Sequence, residues 1–251
     1  MGKIISVVNQ KGGVGKTTTA INLASAIAIY EKKVLLVDFD PQGNASSGLG
    51  IDSSKPNIYQ VLIGKEDVKN VIKKSSYLPL LDIIAADMDL SGAEIELVKE
   101  FSREYKLRDI LQTLKDDYDF IFIDCPPSLG LLTINALSAS TDVLMPIQCE
   151  YYALEGVSQL LNTIKLIKKA LNPNLNILGI LLTMFDKRLN LSYQVAKEVR
   201  RYFKEKTFET IIQRNVKLTE SPGFSKCIFQ YDIKSQGAKN YLELAKEVIK
   251  R

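Results

Sequence analysis

Residues 9–19 read Asn-Gln-Lys-Gly-Gly-Val-Gly-Lys-Thr-Thr-Thr, and this glycine-rich stretch ending in Gly-Lys-Thr decides the fold. An apolar run at 3–8 comes before it and predicts a strand. A run of mostly small and apolar residues at 20–29 comes after it and predicts a buried helix. A strand, a glycine-rich loop and a helix in this order form the context in which such a loop binds phosphate.

The loop has the residues that a nucleotide phosphate requires. Gly12, Gly13 and Gly15 carry no Cβ atom, so the backbone can turn tightly and aim its N–H groups at an anion. A helix that begins near Lys16 adds unpaired N–H groups and the positive end of its dipole. Lys16 is predicted to reach the β- and γ-phosphates, and the Thr17 hydroxyl to ligate Mg²⁺. The predicted nucleotide-binding residues of the loop are Gly12, Gly13, Val14, Gly15, Lys16, Thr17 and Thr18.

Strand-like and helix-like runs alternate along the rest of the chain. Two runs, 33–38 and 119–124, are apolar on both faces, as strands inside a parallel sheet must be. The alternation predicts an α/β fold of the P-loop NTPase type, with a mostly parallel twisted sheet and helices on both faces. No linker or repeat divides the chain, so residues 1–251 are expected to form a single domain. The other predicted strands are 80–86, 142–146 and 176–185. The predicted helices are 57–63, two in 91–114 that break near Phe101, 131–140, 154–171, 191–203 and 235–250. The region 211–231 is rich in polar and turn residues.

The composition excludes several kinds of chemistry. The chain has no histidine, so carboxylates and water must carry any acid–base catalysis. Its 33 basic and 29 acidic residues give a net charge of +4, too small to indicate a nucleic-acid partner by itself. Cys125, Cys149 and Cys227 form no C-x-x-C pair, and we expect reduced, buried thiols. No signal peptide opens the chain, and no apolar run reaches the roughly 18 residues of a membrane span.

Acidic residues end two of the predicted strands. Asp124 follows four apolar residues, as in a Walker B strand, and ligands of open α/β sheets bind at the carboxyl ends of strands. A buried carboxylate without a cation is costly, so Asp124 is predicted to lie near Mg²⁺, through a coordinated water. Asp38 and Asp40 end the neighbouring strand on one side of it, since their spacing is two. One is expected to hold the water shell of the metal and the other to orient the attacking water. The predicted metal-site residues are Thr17, Asp38 and Asp124.

The phosphate loop departs from the strict G-x-x-x-x-G-K-[ST] pattern, because Gln10 stands where a glycine is expected. Its sequence Lys-Gly-Gly-Val-Gly-Lys-Thr, 11–17, resembles the deviant Walker A branch, which includes the ParA/Soj partitioning ATPases, MinD-like proteins and the nitrogenase iron protein. Four further blocks resemble segments of the ParA/Soj family, so the resemblance covers nearly the whole chain. These blocks are 34–44, 131–139, 146–156 and 214–220.

The resemblance implies a Mg²⁺- and ATP-dependent ATPase and roles for particular residues. Lys11 would reach across a dimer to the nucleotide of the partner, in the manner of an arginine finger supplied in trans. Asp40, the second acid of its block, would be the one needed for hydrolysis. Arg214 and Asn215 match the base-binding segment; Asn215 keeps an amide that can read adenine, while Gln213 replaces the proline usual in the family. The implied catalytic residues are therefore Lys11, Lys16 and Asp40.

The same resemblance implies a cytoplasmic, nucleoid-associated switch. ATP would close a homodimer that binds non-specific DNA, and hydrolysis stimulated by a ParB-type partner would release it, which segregates a chromosome or plasmid. Arg188 and Lys217 sit where basic residues of the family contact DNA, among many basic residues in the last third of the chain. Contacts to phosphates alone would suffice. Because the first predicted strand starts two residues after Met1, the chain resembles the short chromosomal branch.

Two rival classes share the phosphate loop. A MinD-like membrane-associated ATPase, which acts in division-site placement, needs a C-terminal amphipathic tail that is free to lie on lipid. An electron-transfer protein such as the nitrogenase iron protein needs two cysteines per subunit at the dimer axis. Cys125 follows the Walker B acid and Cys149 follows a strand, so neither resembles such a ligand. The apolar residues near the C-terminus predict a core-facing stripe, and we expect no stable membrane association. This stripe is Tyr241, Leu242, Ala245, Val248 and Ile249.

Overall fold

A seven-stranded sheet organises the chain. The computed structural model describes residues 2–150 and 153–251, and the side chains of all of these except 153–156. The strand order is β3-β4-β2-β5-β1-β6-β7, and every neighbouring pair is parallel except β3 and β4. The predicted α/β class with a mostly parallel sheet is confirmed. Met1 and two residues of one quoted block, Tyr151 and Tyr152, lie outside the described residues. The strands are β1 Lys3–Val7, β2 Val34–Asp38, β3 Ile72–Lys74, β4 Leu81–Ile84, β5 Phe120–Asp124, β6 Asp142–Gln148 and β7 Asn176–Thr183.

Helices cover both faces of the sheet because successive side chains of each strand point to opposite sides. In β1, Ile5 and Val7 pack with apolar residues of the first and last helices, whereas Ile4 joins the core on the other face. All residues of β2 and β5 are buried, as their apolar sequences predict. The helices are α1 Lys16–Ile29, α2 Asn44–Gly48, α3 Ile58–Leu62, α4 Leu90–Glu96, α5 Lys106–Gln112, α6 Leu131–Ala139, α7 Ala153–Ala170, α8 Asn190–Phe203, α9 Val216–Glu220, α10 Ile228–Asp232 and α11 Gln236–Lys250.

Several short elements were not predicted. β3 is a three-residue edge strand, Ile-Lys-Lys, that is too short and too polar for a period-two pattern. Two five-residue helices, α9 and α10, begin within the polar region 211–231, where Pro222 and Gly223 gave turn signals, and α10 ends one residue beyond this region. β7 ends at Thr183, two residues earlier than predicted, because Met184 turns the backbone into the left-handed region with φ of 51°.

The C-terminal helix packs into the core. Tyr241, Ala245 and Val248 of α11 are buried in the cluster that contains α1, and the Tyr241 hydroxyl lies 3.1 Å from Thr19 Oγ1. The predicted core-facing stripe is therefore confirmed, and its apolar face is covered by protein. Among the described residues, no helix combines the length and the apolar content needed to cross a bilayer.

Candidate functional site

The glycine-rich loop joins β1 to α1 at the carboxyl edge of the sheet. Gly13 and Gly15 have φ angles of 74° and 88°, a region in which residues with a Cβ are strained. Two side chains fix the loop to neighbouring strands: the Thr183 hydroxyl donates to Val14 O over 2.8 Å, and the Asn9 amide donates to Pro146 O over 2.7 Å. The predicted loop therefore lies at the start of a helix, as an anion site of this type requires.

Lys16 opens α1 and is buried, with 7% of its surface exposed. Its Nζ donates to Lys11 O over 3.4 Å. Burial lowers the pKa of the ammonium, whereas the nearby Asp124 and Asp40 carboxylates act in the opposite direction. The fold therefore gathers a buried cation and two carboxylates at one point.

Asp124 ends β5 in the middle of the sheet, in register with Val7 of β1 and Asp38 of β2. Its side chain is fully buried, and neither carboxylate oxygen makes a hydrogen bond to a described residue. Burial raises its pKa well above the ordinary value, the charge of Asp38 raises it further, and the Thr17 hydroxyl acts less strongly in the opposite direction. An uncompensated buried carboxylate is costly, so this position fits a cation or a water held by one.

Asp38 and Asp40 are both buried but occupy different settings. Asp38 ends β2, and its Oδ2 accepts hydrogen bonds from the Ser46 N–H over 2.8 Å and the Ser46 hydroxyl over 2.7 Å. Burial raises the pKa of Asp38 to about 6 despite these bonds. Asp40 lies beyond the strand, in a turn where its Oδ1 accepts from the Gln42 N–H over 3.0 Å. The argument that both acids share one side of a strand was therefore wrong, because the strand ends at Asp38.

The oxygen atoms at this position suit Mg²⁺. They do not suit a metal ion that must be held entirely by several protein side chains. Among the described residues, no three acidic, cysteine or histidine side chains cluster closely enough to hold an ion by themselves. Mg²⁺ usually keeps several waters and takes one or two protein oxygens together with phosphate oxygens. The orphaned Asp124 carboxylate, with the Thr17 hydroxyl beside it, fits this mode. Asp38 is less available than Asp124 to a magnesium ion, because Ser46 donates two hydrogen bonds to one of the Asp38 carboxylate oxygens.

Lys11 lies on the outer side of the loop and is accessible. Its Nζ pairs with Glu150 Oε2 over 3.0 Å, with 44% and 47% of the two side chains exposed. Its backbone N–H donates to Asn9 Oδ1 over 3.0 Å, which holds the loop in place while leaving the ammonium at the surface. Lys11 is thus separate from Lys16, which is buried.

An apolar cavity of about 390 Å³ continues from the phosphate loop. It runs from Gly15 and Thr18 to the segment before α9, so a base attached to a phosphate in the loop can enter it. The predicted Arg214 and Asn215 line it, although Asn215 Oδ1 accepts from the Lys217 N–H over 2.9 Å and caps α9. Other lining residues were not predicted from the sequence: Thr183, Met184, Ile212, Val216, Leu218, Thr219, Pro222 and Tyr241.

The two residues predicted to contact DNA are exposed and lie on neighbouring segments. The segment before Arg188 runs beside the one before Lys217, since the Arg214 N–H donates to Phe185 O over 3.0 Å. Arg188, with 84% of its side chain exposed, forms a two-point ion pair with Asp186 at 2.9 and 2.7 Å. Lys217 pairs with Glu220 at 2.9 Å. Both cations therefore have acidic neighbours in the single chain.

The three cysteines are buried and unpaired, as predicted. Burial raises the pKa of each thiol. Such groups are inert rather than reactive.

Comparison with known proteins finds a matching family model, similar full-length proteins and similar solved structures. A family model described as an AAA domain matches residues 2–177. The chain is 56% identical over 253 residues to the chromosome partitioning protein ParA of Myxococcus xanthus, covering 100% of this chain and 89% of that protein. It is 56% identical over 250 residues to the sporulation initiation inhibitor protein Soj of Bacillus subtilis, covering 99% and 98%. A solved structure of cobyrinic acid a,c-diamide synthase from Mycobacterium smegmatis with bound ADP and magnesium superposes with a TM-score of 0.87 at 36% identity, covering 100% and 95%.

Proposed function

Because the chain belongs to the family of ParA and Soj chromosome-partitioning ATPases, we propose that it is a nucleotide-switched dimer that moves DNA. The proposal treats residues 1–251 as a single ATPase domain. ATP closes the homodimer, the dimer binds non-specific DNA, and hydrolysis stimulated by a ParB-type partner releases it. The protein then acts in the cytoplasm in association with the nucleoid. The observation that carries the catalytic part is the buried Asp124 carboxylate beside Lys16, at the end of the phosphate loop.

In this proposal the loop binds the phosphates of Mg²⁺-ATP. Backbone N–H groups of residues 12–18 surround the anion, and Lys16 neutralises the β- and γ-phosphates. Thr17, Asp38 and Asp124 would hold the magnesium ion and its waters, and bound Mg²⁺ would supply further positive charge next to the phosphates. The base enters the apolar cavity beside Arg214 and Asn215.

Asp40 is proposed to orient the attacking water. It is buried, lies close enough to Lys16 to act on its pKa, and sits on the turn after β2 rather than on the strand. One carboxylate oxygen is held by the Gln42 N–H, which fixes the side chain. The other oxygen is available to accept a proton or a hydrogen bond from water.

Lys11 is proposed to act on the nucleotide of the second subunit. Its ammonium is surface-exposed, and its partner in the single chain is an exposed carboxylate, Glu150. Exposed pairs of this kind contribute little to stability, so Lys11 can exchange Glu150 for a phosphate across an interface. Lys11→Ala should therefore leave the folded monomer intact while losing both the ATP-dependent dimer and DNA binding.

Arg188 and Lys217 are proposed to contact DNA phosphates. A monomer with a net charge of +4 offers few such contacts, whereas a dimer joins two basic faces and releases about twice as many counterions. A MinD-like role in division-site placement is the alternative. It lacks support because the apolar face of α11 is buried against α1 rather than available for lipid.

Co-sedimentation with non-specific DNA and with liposomes tests the switch, each with ATP, with ADP and without nucleotide. We expect pelleting with DNA in ATP only and none with liposomes. Equal DNA affinity in all three nucleotide states would contradict the switch, and ATP-dependent pelleting with liposomes would favour the MinD-like alternative.

A further inference from the structure

The segment that leads to the base-binding residues runs along the edge of the sheet. Residues 207–213 lie parallel to β7, and the Ile212 N–H donates to Leu182 O over 2.9 Å. Arg214 and Asn215, which follow directly, line the apolar cavity. We call residues 207–213 the edge segment. Its course determines where the base-binding residues stand relative to the phosphate loop.

One side of the C-terminal helix lies along the edge segment. Asn240, Leu244, Glu247 and Arg251 follow one another at helical spacing, so they share one side of α11 and its C-terminal cap. Leu244 is buried in the core cluster that also contains Phe208 of the edge segment. The other three residues are polar, and each holds a different part of the edge segment.

Glu247 supplies hydrogen-bond acceptors to the middle of the edge segment. Its Oε2 accepts from the Glu209 N–H over 3.0 Å, its Oε1 accepts from the Thr210 N–H over 2.7 Å, and the Thr210 hydroxyl donates to the same Oε1. The backbone bends at Glu209, and these two N–H groups donate to the carboxylate in place of a strand. Because backbone donors that leave a sheet need another partner, Glu247 fixes the course of the segment at this bend.

Asn240 holds the end of the edge segment, next to the base-binding residues. Its Oδ1 accepts from the Gln213 N–H over 3.3 Å. The adjacent Tyr241 lines the cavity, and its hydroxyl lies 3.1 Å from Thr19 Oγ1 in α1, the helix that follows the phosphate loop. Helix α11 therefore contacts both the base-binding segment and the phosphate-binding helix, and it sets the spacing between them.

Arg251 holds the start of the edge segment. Its Nη1 donates to Leu178 O over 2.7 Å, and its guanidinium carbon lies 4.1 Å from the centroid of the Phe208 ring. A guanidinium over an aromatic face is attracted by the negative charge of the ring face. The start, the middle and the end of the edge segment are thus all held from α11 and its cap.

We propose that Asn240 and Glu247 position the edge segment and thereby determine the affinity for the base of ATP, without contributing to the binding of its phosphates. This role rests on the proposed function in one respect, that the base enters the apolar cavity. Both are positioning residues, because neither belongs to the described lining of the cavity. A segment that is already in place loses less conformational entropy when a ligand binds, so it binds the base more tightly.

Two ligands that share the phosphates but differ in the nucleoside test this role. ATP and inorganic tripolyphosphate, each with Mg²⁺, are titrated by calorimetry into the full-length wild type, Asn240→Ala and Glu247→Ala. We expect the wild type to bind ATP more tightly than tripolyphosphate. In both variants the ATP affinity should fall about tenfold and the tripolyphosphate affinity by less than about twofold, because only the contribution of the base is lost. Glu243→Ala, which changes a 61% exposed carboxylate of the same helix, should bind both ligands as the wild type does.

Steady-state kinetics give a second readout. The KM for ATP should rise about tenfold in both variants while kcat is unchanged, since the lost binding energy is the same in the ground state and the transition state. Glu247→Gln keeps an oxygen that can accept from Thr210, so it should retain most of the ATP affinity. A purely structural role would instead lower the melting temperature and weaken both ligands together. Asn240→Ala removes one hydrogen bond at a half-buried site, so it should fold even if Glu247→Ala does not.

The outcomes separate failure of the positioning role from failure of the proposed function. Unchanged ATP affinity in Asn240→Ala and Glu247→Ala, or an equal loss for both ligands, would overturn the positioning role and leave the proposed function intact. Equal affinity of the wild type for ATP and tripolyphosphate would also overturn it, because the base would then contribute nothing to binding. A wild type that binds neither ligand would contradict the proposed function itself, and the positioning role with it.

Discussion

The Ser46 hydroxyl donates a 2.7 Å hydrogen bond to Asp38 Oδ2, and the Ser46 backbone N–H donates a second over 2.8 Å to the same oxygen. The hydroxyl oxygen also accepts from the Ala86 N–H over 3.1 Å. All three groups are buried, so one serine on α2 connects the end of β2 to the segment after β4. The position of Asp38 therefore depends on a residue eight positions away.

Ser46→Ala should lower the free energy of unfolding by about 1–3 kcal/mol, because it leaves a buried carboxylate and a buried N–H each short of a partner. Urea unfolding measures this change. Ser47→Ala is the matched control: its exposed hydroxyl makes one bond, to Asn44 O over 3.4 Å, and should cost little. Equal stability of the two variants would mean that Asp38 is held by other groups.

Lys16→Ala should weaken ATP binding by about 100-fold, since it removes the buried cation expected to neutralise the β- and γ-phosphates. Isothermal titration calorimetry measures the affinity. Lys65→Ala, which changes an exposed lysine, controls for the loss of one positive charge. Affinity like that of the wild type in Lys16→Ala would remove this residue from the nucleotide site.

Asp40→Ala should separate binding from hydrolysis. The loop and Thr17 remain, so ATP binding should persist, while turnover should fall by about 100-fold or more through loss of the group that orients water. We expect an ATP-bound dimer that is stable during size-exclusion chromatography. Normal turnover in this variant would assign the role to Asp38 or Asp124.

Asp124→Asn should stabilise the nucleotide-free protein at pH 7–8, because it removes a fully buried carboxylate that accepts no hydrogen bond from a described residue. A melting temperature higher by about 2–4 °C is expected for each kcal/mol gained. Nucleotide with Mg²⁺ should then stabilise the variant less than the wild type. A lower melting temperature without nucleotide would show that the Asp124 carboxylate has a stabilising partner.

The stability of the nucleotide-free protein should also depend on pH, because Asp38 and Asp124 bind protons in the folded state. The pKa of Asp38 rises from its ordinary 3.8 to about 6 on folding, so the folded protein binds the extra proton between these values and loses stability as the pH rises through them. The pKa of Asp124 is also raised, which extends the loss to higher pH. Melting temperatures of the wild type and Asp124→Asn over a pH series should converge at acidic pH and separate as the pH rises.

Arg188→Glu should weaken DNA binding by about tenfold or more at physiological salt, because two phosphate contacts are lost per dimer. Lys217→Glu should have a smaller effect, since the Lys217 side chain is 46% exposed and that of Arg188 is 84% exposed. Gel-shift titrations over a salt series measure both the affinity and its slope. Dimerisation and basal hydrolysis should stay near normal, and Lys69→Glu, an exposed lysine remote from this segment in sequence, serves as the control. Unchanged salt slopes would exclude these residues from the DNA contact.

Local sequence patterns determined the framework of this protein. The run before Gly12, the loop itself and the run after Lys16 specify strand, turn and helix within a few residues of one another, and periodicity identified the buried stripe of α11. Asp124 was predictable for the same reason, since an acid after an apolar strand lies at the carboxyl edge of the sheet whatever the strand order.

Only the tertiary structure decided which distant groups meet. Sheet order places β5 between β1 and β2, and this brings Asp124 beside Asp38 and Lys16. Crossovers between strands also pair Lys11 with Glu150, which is 139 positions away. They likewise bring Pro222 into the cavity beside the phosphate loop. The periodicity of apolar residues predicts which face of a helix or strand is buried, but it does not predict which other element packs against that face.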